Sequence, residues 1–109
     1  MLPKTRRIEK KLFELSFRSS KRYNSTHLML FVANNKENIS RFSFSISKKI
    51  CKNAVDRNRL RRQGYSIIKK HISDIPNGLL FFFSFKKSTY PVVFSELDKE
   101  IIGLLKNVN

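Results

Sequence analysis

Along RFSFSISK, Arg41 to Lys48, polar and apolar side chains alternate without a break, with Phe42, Phe44 and Ile46 on one face and Ser43, Ser45 and Ser47 on the other. A period of two predicts a strand with one buried and one polar face. HLMLFVA, His27 to Ala33, predicts another strand, ended by the turn-rich NNKEN. LLFFFSF, Leu79 to Phe85, is apolar at nearly every position and predicts a central strand covered on both faces.

Elsewhere the period lengthens. Ile8, Leu12 and Leu15 recur at i, i+4 and i+7, which predicts a helix from about Ile8 to Ser19, with Phe13 and Phe17 together on a neighbouring flank. From Ala54 to about Ile75, Leu60, Gly64, Ile67, Ile68, His71 and Ile75 form one stripe able to pack on a sheet. Arg59, Arg62, Lys69 and Lys70 lie roughly opposite it, and Asn58, Arg61, Arg62 and Tyr65 run along the shoulder between. Gly64 costs about 1 kcal/mol of helix propensity relative to Ala, so close packing is its expected justification. SDIPNG, with Pro76 and Gly78, stops this helix. Ser95 is the expected N-cap of a last helix reaching about Leu105, with Asp98 three residues on. The elements read α-β-β-α-β-α. They predict a single-domain α+β sandwich, a small mixed sheet packed with helices, spanning residues 1–109 with 1–7 as a flexible basic arm.

Charge changes this picture more than composition does. The formal net charge is +15 on 109 residues, a surface that seeks polyanions, with nucleic acid first and an anionic membrane second. Ten phenylalanines exclude a wholly disordered basic tail. The charge is concentrated in KKICKNAVDRNRLRR, Lys48 to Arg62, with seven cations and one carboxylate, Asp56. A merely solvated helix interleaves acids with its bases, because alternating charges support one another at i,i+4. This stretch does not, and a polyanion-binding face is the reading it favours.

Other chemistry lacks its residues. The longest apolar run is far short of the roughly 20 residues of a spanning helix, and no apolar stretch of a secretory signal follows the basic N-terminus. A single cysteine, Cys51, makes no internal disulfide and fits a reducing compartment. His27, His71 and Cys51 are scattered, so no metal site is expected. No Ser or Cys shows the His and acid partners of a nucleophile. Glu96, Asp98 and Glu100 fall early in the last helix, where acids complement the dipole. Three glycines leave no phosphate-cradling loop. The expectation is a chain with no catalytic residue of its own.

SISKKICKNAVDRNRLRR resembles the signature of the bacterial ribonuclease P protein component: a strand ending in Ser-x-Lys-Lys, a short link, then Ala-x-x-Arg-Asn-Arg-x-Lys/Arg-Arg on a helix. Ser45 and Ser47 flank the strand end, Lys48 and Lys49 are the lysine pair, and Ala54, Arg57, Asn58, Arg59, Arg61 and Arg62 complete the motif. The opening LPKTRRIEKKLFELSF is similar to that family's start, and the order of elements agrees from about Leu2 to Leu105. Two positions depart: the link, often glycine-bearing, is Cys51-Lys52, and an arginine frequent three residues past the motif is Tyr65.

The resemblance implies a left-handed βαβ crossover. It also implies a protein subunit that binds the catalytic RNA of ribonuclease P and the 5′ leader of precursor tRNA, assisting endonucleolytic removal of that leader. The RNA subunit, using Mg²⁺, would carry the catalysis, and the protein alone would hold no cofactor. RNA contacts are expected from Lys48, Lys49, Lys52, Arg57, Asn58, Arg59, Arg61 and Arg62. A leader cleft between the motif helix and the sheet is expected from Phe13, Phe17, Phe31, Lys49, Asn58, Arg62 and Tyr65, where Phe13, Phe17 and Phe31 would otherwise be ordinary core contacts. The expected location is cytoplasmic, with no membrane and no protein partner required. The alternative is a small basic ribosomal or RNA-chaperone protein. A third reading, an interfacial membrane binder, would need Leu60, Ile67 and Ile68, which the sheet requires.

Overall fold

The computed structural model describes residues 8, 20–86 and 94–108. The alternation of RFSFSIS becomes strand β3, Arg41–Ser45, with Phe42 and Phe44 buried. Before it run β1, Lys21–Asn24, and β2, Leu28–Asn34; after it come helix α1, Ala54–His71, strand β4, Leu79–Phe85, and helix α2, Phe94–Asn107. The four strands form one sheet in the order β1-β2-β4-β3. β1 and β2, and β2 and β4, pair antiparallel, whereas β3 and β4 pair parallel across α1. The sheet is therefore mixed, as expected, and β4 is an inner strand.

The register of the parallel pair sets Phe42 beside Phe81 and Phe44 beside Phe83. Both pairs stack nearly face to face, with centroids 5.1 Å and 4.7 Å apart. Leu28, Leu30 and Val32 of β2 extend this layer, and α1 and α2 cover it with Leu60, Ile67, Ile68, Leu97, Ile101 and Leu104. The reverse face carries a smaller cluster, Ala33, Leu80 and Phe82, against which Ile8 and Phe31 pack. Apolar residues throughout LLFFFSF are thus explained by burial on both faces of the sheet.

Several boundaries differ from expectation. β1 was not expected, because KRYN carries one apolar residue, Tyr23, and an edge strand needs no alternating apolar face. The helix expected over 8–19 and the arm over 1–7 lie outside the described residues, apart from Ile8, whose amide donates to the Phe42 carbonyl at 3.0 Å. α1 ends at His71 and yields to a 3₁₀ turn, Ile72–Asp74. Ile75 is extended (φ −94°, ψ 133°), as steric pressure from the following Pro76 requires. α2 starts at Phe94, so Ser95 belongs to its first turn instead of capping it.

Gly64 does what its cost suggested. A Cβ there would lie 2.6 Å from Cε1 of Phe44, so the missing side chain is what lets α1 settle on β3. α2 is tied in by polar groups as well. Glu100 accepts from Ser25 Oγ at 2.6 Å and from the His27 amide at 2.7 Å, and pairs with the His27 ring. Burial alone would raise the Glu100 carboxyl, but these donors and the His27 charge together hold it below its ordinary value.

Candidate nucleic-acid interface

The basic stretch is displayed by apolar anchors set between its lysines. Ile46 and Cys51 are buried, and Ser47 and the intervening Lys48 and Lys49 are exposed. The Ser47 carbonyl accepts from the amides of Ile50 and Cys51, both at 3.1 Å, closing a tight turn with the lysine pair at its tip. This is how Cys51-Lys52 replaces glycine in the link: the thiol points into the core and the ammonium of Lys52 outward. Asn53 then caps α1, its Oδ1 accepting from the Val55 amide at 2.9 Å.

Along α1, Leu60, Gly64, Ile67 and Ile68 turn inward, which leaves Asn58, Arg59 and Arg62 exposed and Arg57 and Arg61 half-buried. Arg59 pairs with Asp56, one turn back. Arg61 Nη1 donates to Asn58 Oδ1 at 2.7 Å, which orients the amide of the motif's asparagine. Arg57 Nη1 donates to the carbonyls of Cys51 and Lys52, both at 2.9 Å. Among the described residues, Lys48, Lys49, Lys52, Arg61 and Arg62 have no carboxylate partner. The lysine turn thus runs directly into the arginine helix, and both present exposed cations, most of them with no carboxylate partner among the described residues. Guanidinium forks suit phosphate oxygens in pairs, and uncompensated charge releases counterions when an anion replaces them.

Phe31 does not belong to that surface. It projects from β2 on the face of the sheet opposite α1, half-buried against the Ala33, Leu80 and Phe82 cluster. α1 itself lies directly on Phe44, leaving no cleft between it and the sheet at Gly64. The expected position of the cleft is corrected accordingly: Phe31 faces the reverse side of the sheet. Phe13 and Phe17 lie outside the described residues.

Tyr65 is also corrected. Its ring is 8% exposed and stands edge-on to Phe44 at 5.1 Å and 80°. A ring held in the core offers no open platform to a base. The replacement of a cation by Tyr65 extends the packing of α1 instead.

Arg22 adds a cation that no sequence pattern marks. Arg22 of β1 is the cross-strand partner of Phe31, and its guanidinium carbon lies 5.6 Å from the ring centroid, a cation–π arrangement. The available signal was the short spacing of KRYN from HLMLFVA, which permits a hairpin. It was hidden because β1 lacks the apolar alternation that marks a strand.

No three His, Cys, Asp or Glu side chains converge among the described residues, so no step is assigned to a metal held by them. Nor is any helix among them long and apolar enough to cross a membrane.

Comparison with known proteins gives a consistent picture. A family model described as Ribonuclease P matches residues 2–109. The ribonuclease P protein component of Mycoplasma capricolum is 30% identical over 108 residues, covering 96% of this chain and 98% of that protein. The component of Microcystis aeruginosa is 37% identical over 82 residues, covering 71% and 68%. In fold, the chain is similar to the RNase P protein of Staphylococcus aureus, with a TM-score of 0.86 over 95% of each chain at 22% identity. It is likewise similar to that of Thermotoga maritima, with a TM-score of 0.83 over 94% and 97% at 21% identity.

Proposed function

This chain belongs to the ribonuclease P protein family, and on that premise we propose that it binds the catalytic RNA of ribonuclease P and the 5′ leader of precursor tRNA in the cytoplasm. In this reading the RNA subunit, with Mg²⁺, cuts the leader from the tRNA, and the protein contributes binding and orientation. The observation that carries it is this run of cations from turn to helix. Lys48 and Lys49 project from one turn, Lys52 from the link after it, and Asn58, Arg59, Arg61 and Arg62 from the helix that follows, with one local carboxylate among them.

The division of labour follows from side-chain chemistry. The lysines act as point charges along a phosphate backbone, while the arginine forks take paired oxygens. Asn58, oriented by Arg61, presents its amide to a neighbouring ribose or base. The leader, being single-stranded, calls for aromatic faces beside positive charge. Phe31 with Arg22 over it supplies that combination on the reverse face of the sheet. The family match removes the reason for the ribosomal or chaperone alternative, which explained only the charge and the fold type.

The test is reconstitution with the cognate catalytic RNA at near-physiological Mg²⁺. The expected result is faster leader removal and tighter binding of precursor than of mature tRNA when the protein is present. Equal affinity for both tRNAs, with no gain in cleavage, would refute the assignment.

A further inference from the structure

Arg57 is the first arginine of the Arg-Asn-Arg motif and, by position, one more phosphate ligand. Its geometry says otherwise. Helical side chains lean toward the N-terminus of their helix, and that of Arg57 leans back past the start of α1 onto the link. There Nη1 uses both of its hydrogens on two successive carbonyls, Cys51 and Lys52, at 2.9 Å each. The amide of Arg57 donates to Asn53 at 3.0 Å, and Asn53 in turn caps Val55. Asn53 and Arg57 together thus hold the segment from Cys51 to Val55 through its carbonyls and the Val55 amide.

These two carbonyls belong to no strand or helix, so Arg57 supplies donors that they would otherwise seek in water. Charge-assisted bonds of this kind are stronger than neutral ones. On one side of the clamped segment stands the turn bearing Lys48 and Lys49; within it is Lys52; on the other side begins the face of Asn58 and Arg62. A segment free to rotate would spread these cations over many arrangements and give each a smaller share of any one phosphate track.

We propose that Arg57 is a positioning residue: it clamps the β3–α1 link so that Lys49 and Lys52 stand in register with Asn58 and Arg62 for the catalytic RNA. This role rests on the reading given under Proposed function. The clamp itself is a property of the free protein, which separates the two when tested.

The test takes Arg57→Met, which keeps the stem and removes every donor, through two measurements. The first is amide hydrogen exchange on the free protein. Exchange at the hydrogen-bonded amides of the link, Cys51, Val55 and Arg57, is expected to accelerate on the order of tenfold, as loss of a charge-assisted hydrogen bond implies. Unchanged local exchange would overturn the clamp. The second is a double-mutant cycle in catalytic-RNA binding against Lys52→Ala and Lys49→Ala. A positioning role requires that each lysine substitution cost much less in the Arg57→Met background than in the wild type. It also requires Arg57→Met alone to lower the log–log salt slope by more than the roughly 0.7 to 0.9 of one lost phosphate contact. Fully additive losses with a one-contact slope would make Arg57 an independent phosphate ligand and sink the proposal. If the wild type fails to bind the catalytic RNA, the positioning role falls with the functional reading, while the exchange result still decides the clamp. Should Arg57→Met not fold, Arg57→Gln, which keeps an amide too short to reach both carbonyls, takes its place in both measurements.

Discussion

The ring of Phe44 occupies the space that a side chain at Gly64 would fill, with three ring atoms 2.6 to 2.8 Å from where a Cβ would stand. The ring has little room to give way, since it is stacked on Phe83 at 4.7 Å and flanked by the edge of Tyr65. Gly64→Ala is expected to gain about 1 kcal/mol of helix propensity and lose more through overpacking, for a net destabilisation of about 1 to 2 kcal/mol. Denaturant unfolding measures it. Phe44→Leu, combined with Gly64→Ala, should recover part of the loss; an additive pair would mean that the two residues do not compete for space.

Arg59 and Arg62 are both exposed, but Asp56 engages only Arg59 among the described ion pairs. Arg62→Ala should therefore lower the log–log salt slope of catalytic-RNA binding by about 0.7 to 0.9, one full phosphate contact. Arg59→Ala should lower it less, because that guanidinium must first leave its carboxylate. Asp56→Asn is expected to tighten binding and to bring the effect of Arg59→Ala up to that of Arg62→Ala. Salt titrations of the wild type, the three single variants and Arg59→Ala combined with Asp56→Asn decide this, and equal slopes for both arginine variants with Asp56 intact would contradict it.

Phe31 and Arg22 offer a test of leader binding away from α1. Phe31→Leu keeps apolar cover over Leu80 and Phe82 but loses the ring face. It should weaken precursor tRNA binding by the holoenzyme by about 1 to 3 kcal/mol for one stacked base, leaving mature tRNA nearly unaffected. Arg22→Ala should act in the same direction, with a smaller penalty at high salt. Parallel losses on both tRNAs, in variants shown to be folded, would assign this pair to packing.

Glu100 links the β1–β2 turn to α2, and its carboxyl is held below the ordinary value of 4.5. A folded-state value lower than the unfolded one stabilises the protein above the unfolded value, and this contribution disappears as pH falls through the folded value. The wild type is therefore expected to lose stability in the acid range, below about pH 5, partly through Glu100. Glu100→Gln should be less stable at neutral pH and show a shallower acid decline. Unfolding midpoints taken from neutral pH down to about pH 3 provide the check; an unchanged acid slope would show that other carboxylates govern it.

Much of this molecule was legible in its residues one element at a time. Alternation along RFSFSIS and the doubly apolar LLFFFSF determined two strands and which of them is inner, because a strand's two faces report directly on what covers each. The helical stripe of Leu60, Gly64, Ile67 and Ile68 determined which side of α1 is inward, and the unbalanced cations of Lys48 to Arg62 determined the kind of partner. The tertiary structure decided what depends on neighbours distant in the chain. β1 exists because β2 offers it hydrogen bonds, not because KRYN has a strand pattern. Tyr65, at the shoulder of its helix, is buried because Phe44 reaches across to meet it. Phe31 faces away from the arginine helix because Leu28, Leu30 and Val32 fill the core that the two helices cover, which turns Phe31 and Ala33 of β2 to the reverse face. Arg57 faces the link because two backbone carbonyls there lack regular partners. Periodicity reports how one element divides its faces, whereas the identity of the group across each face is set only when the elements pack.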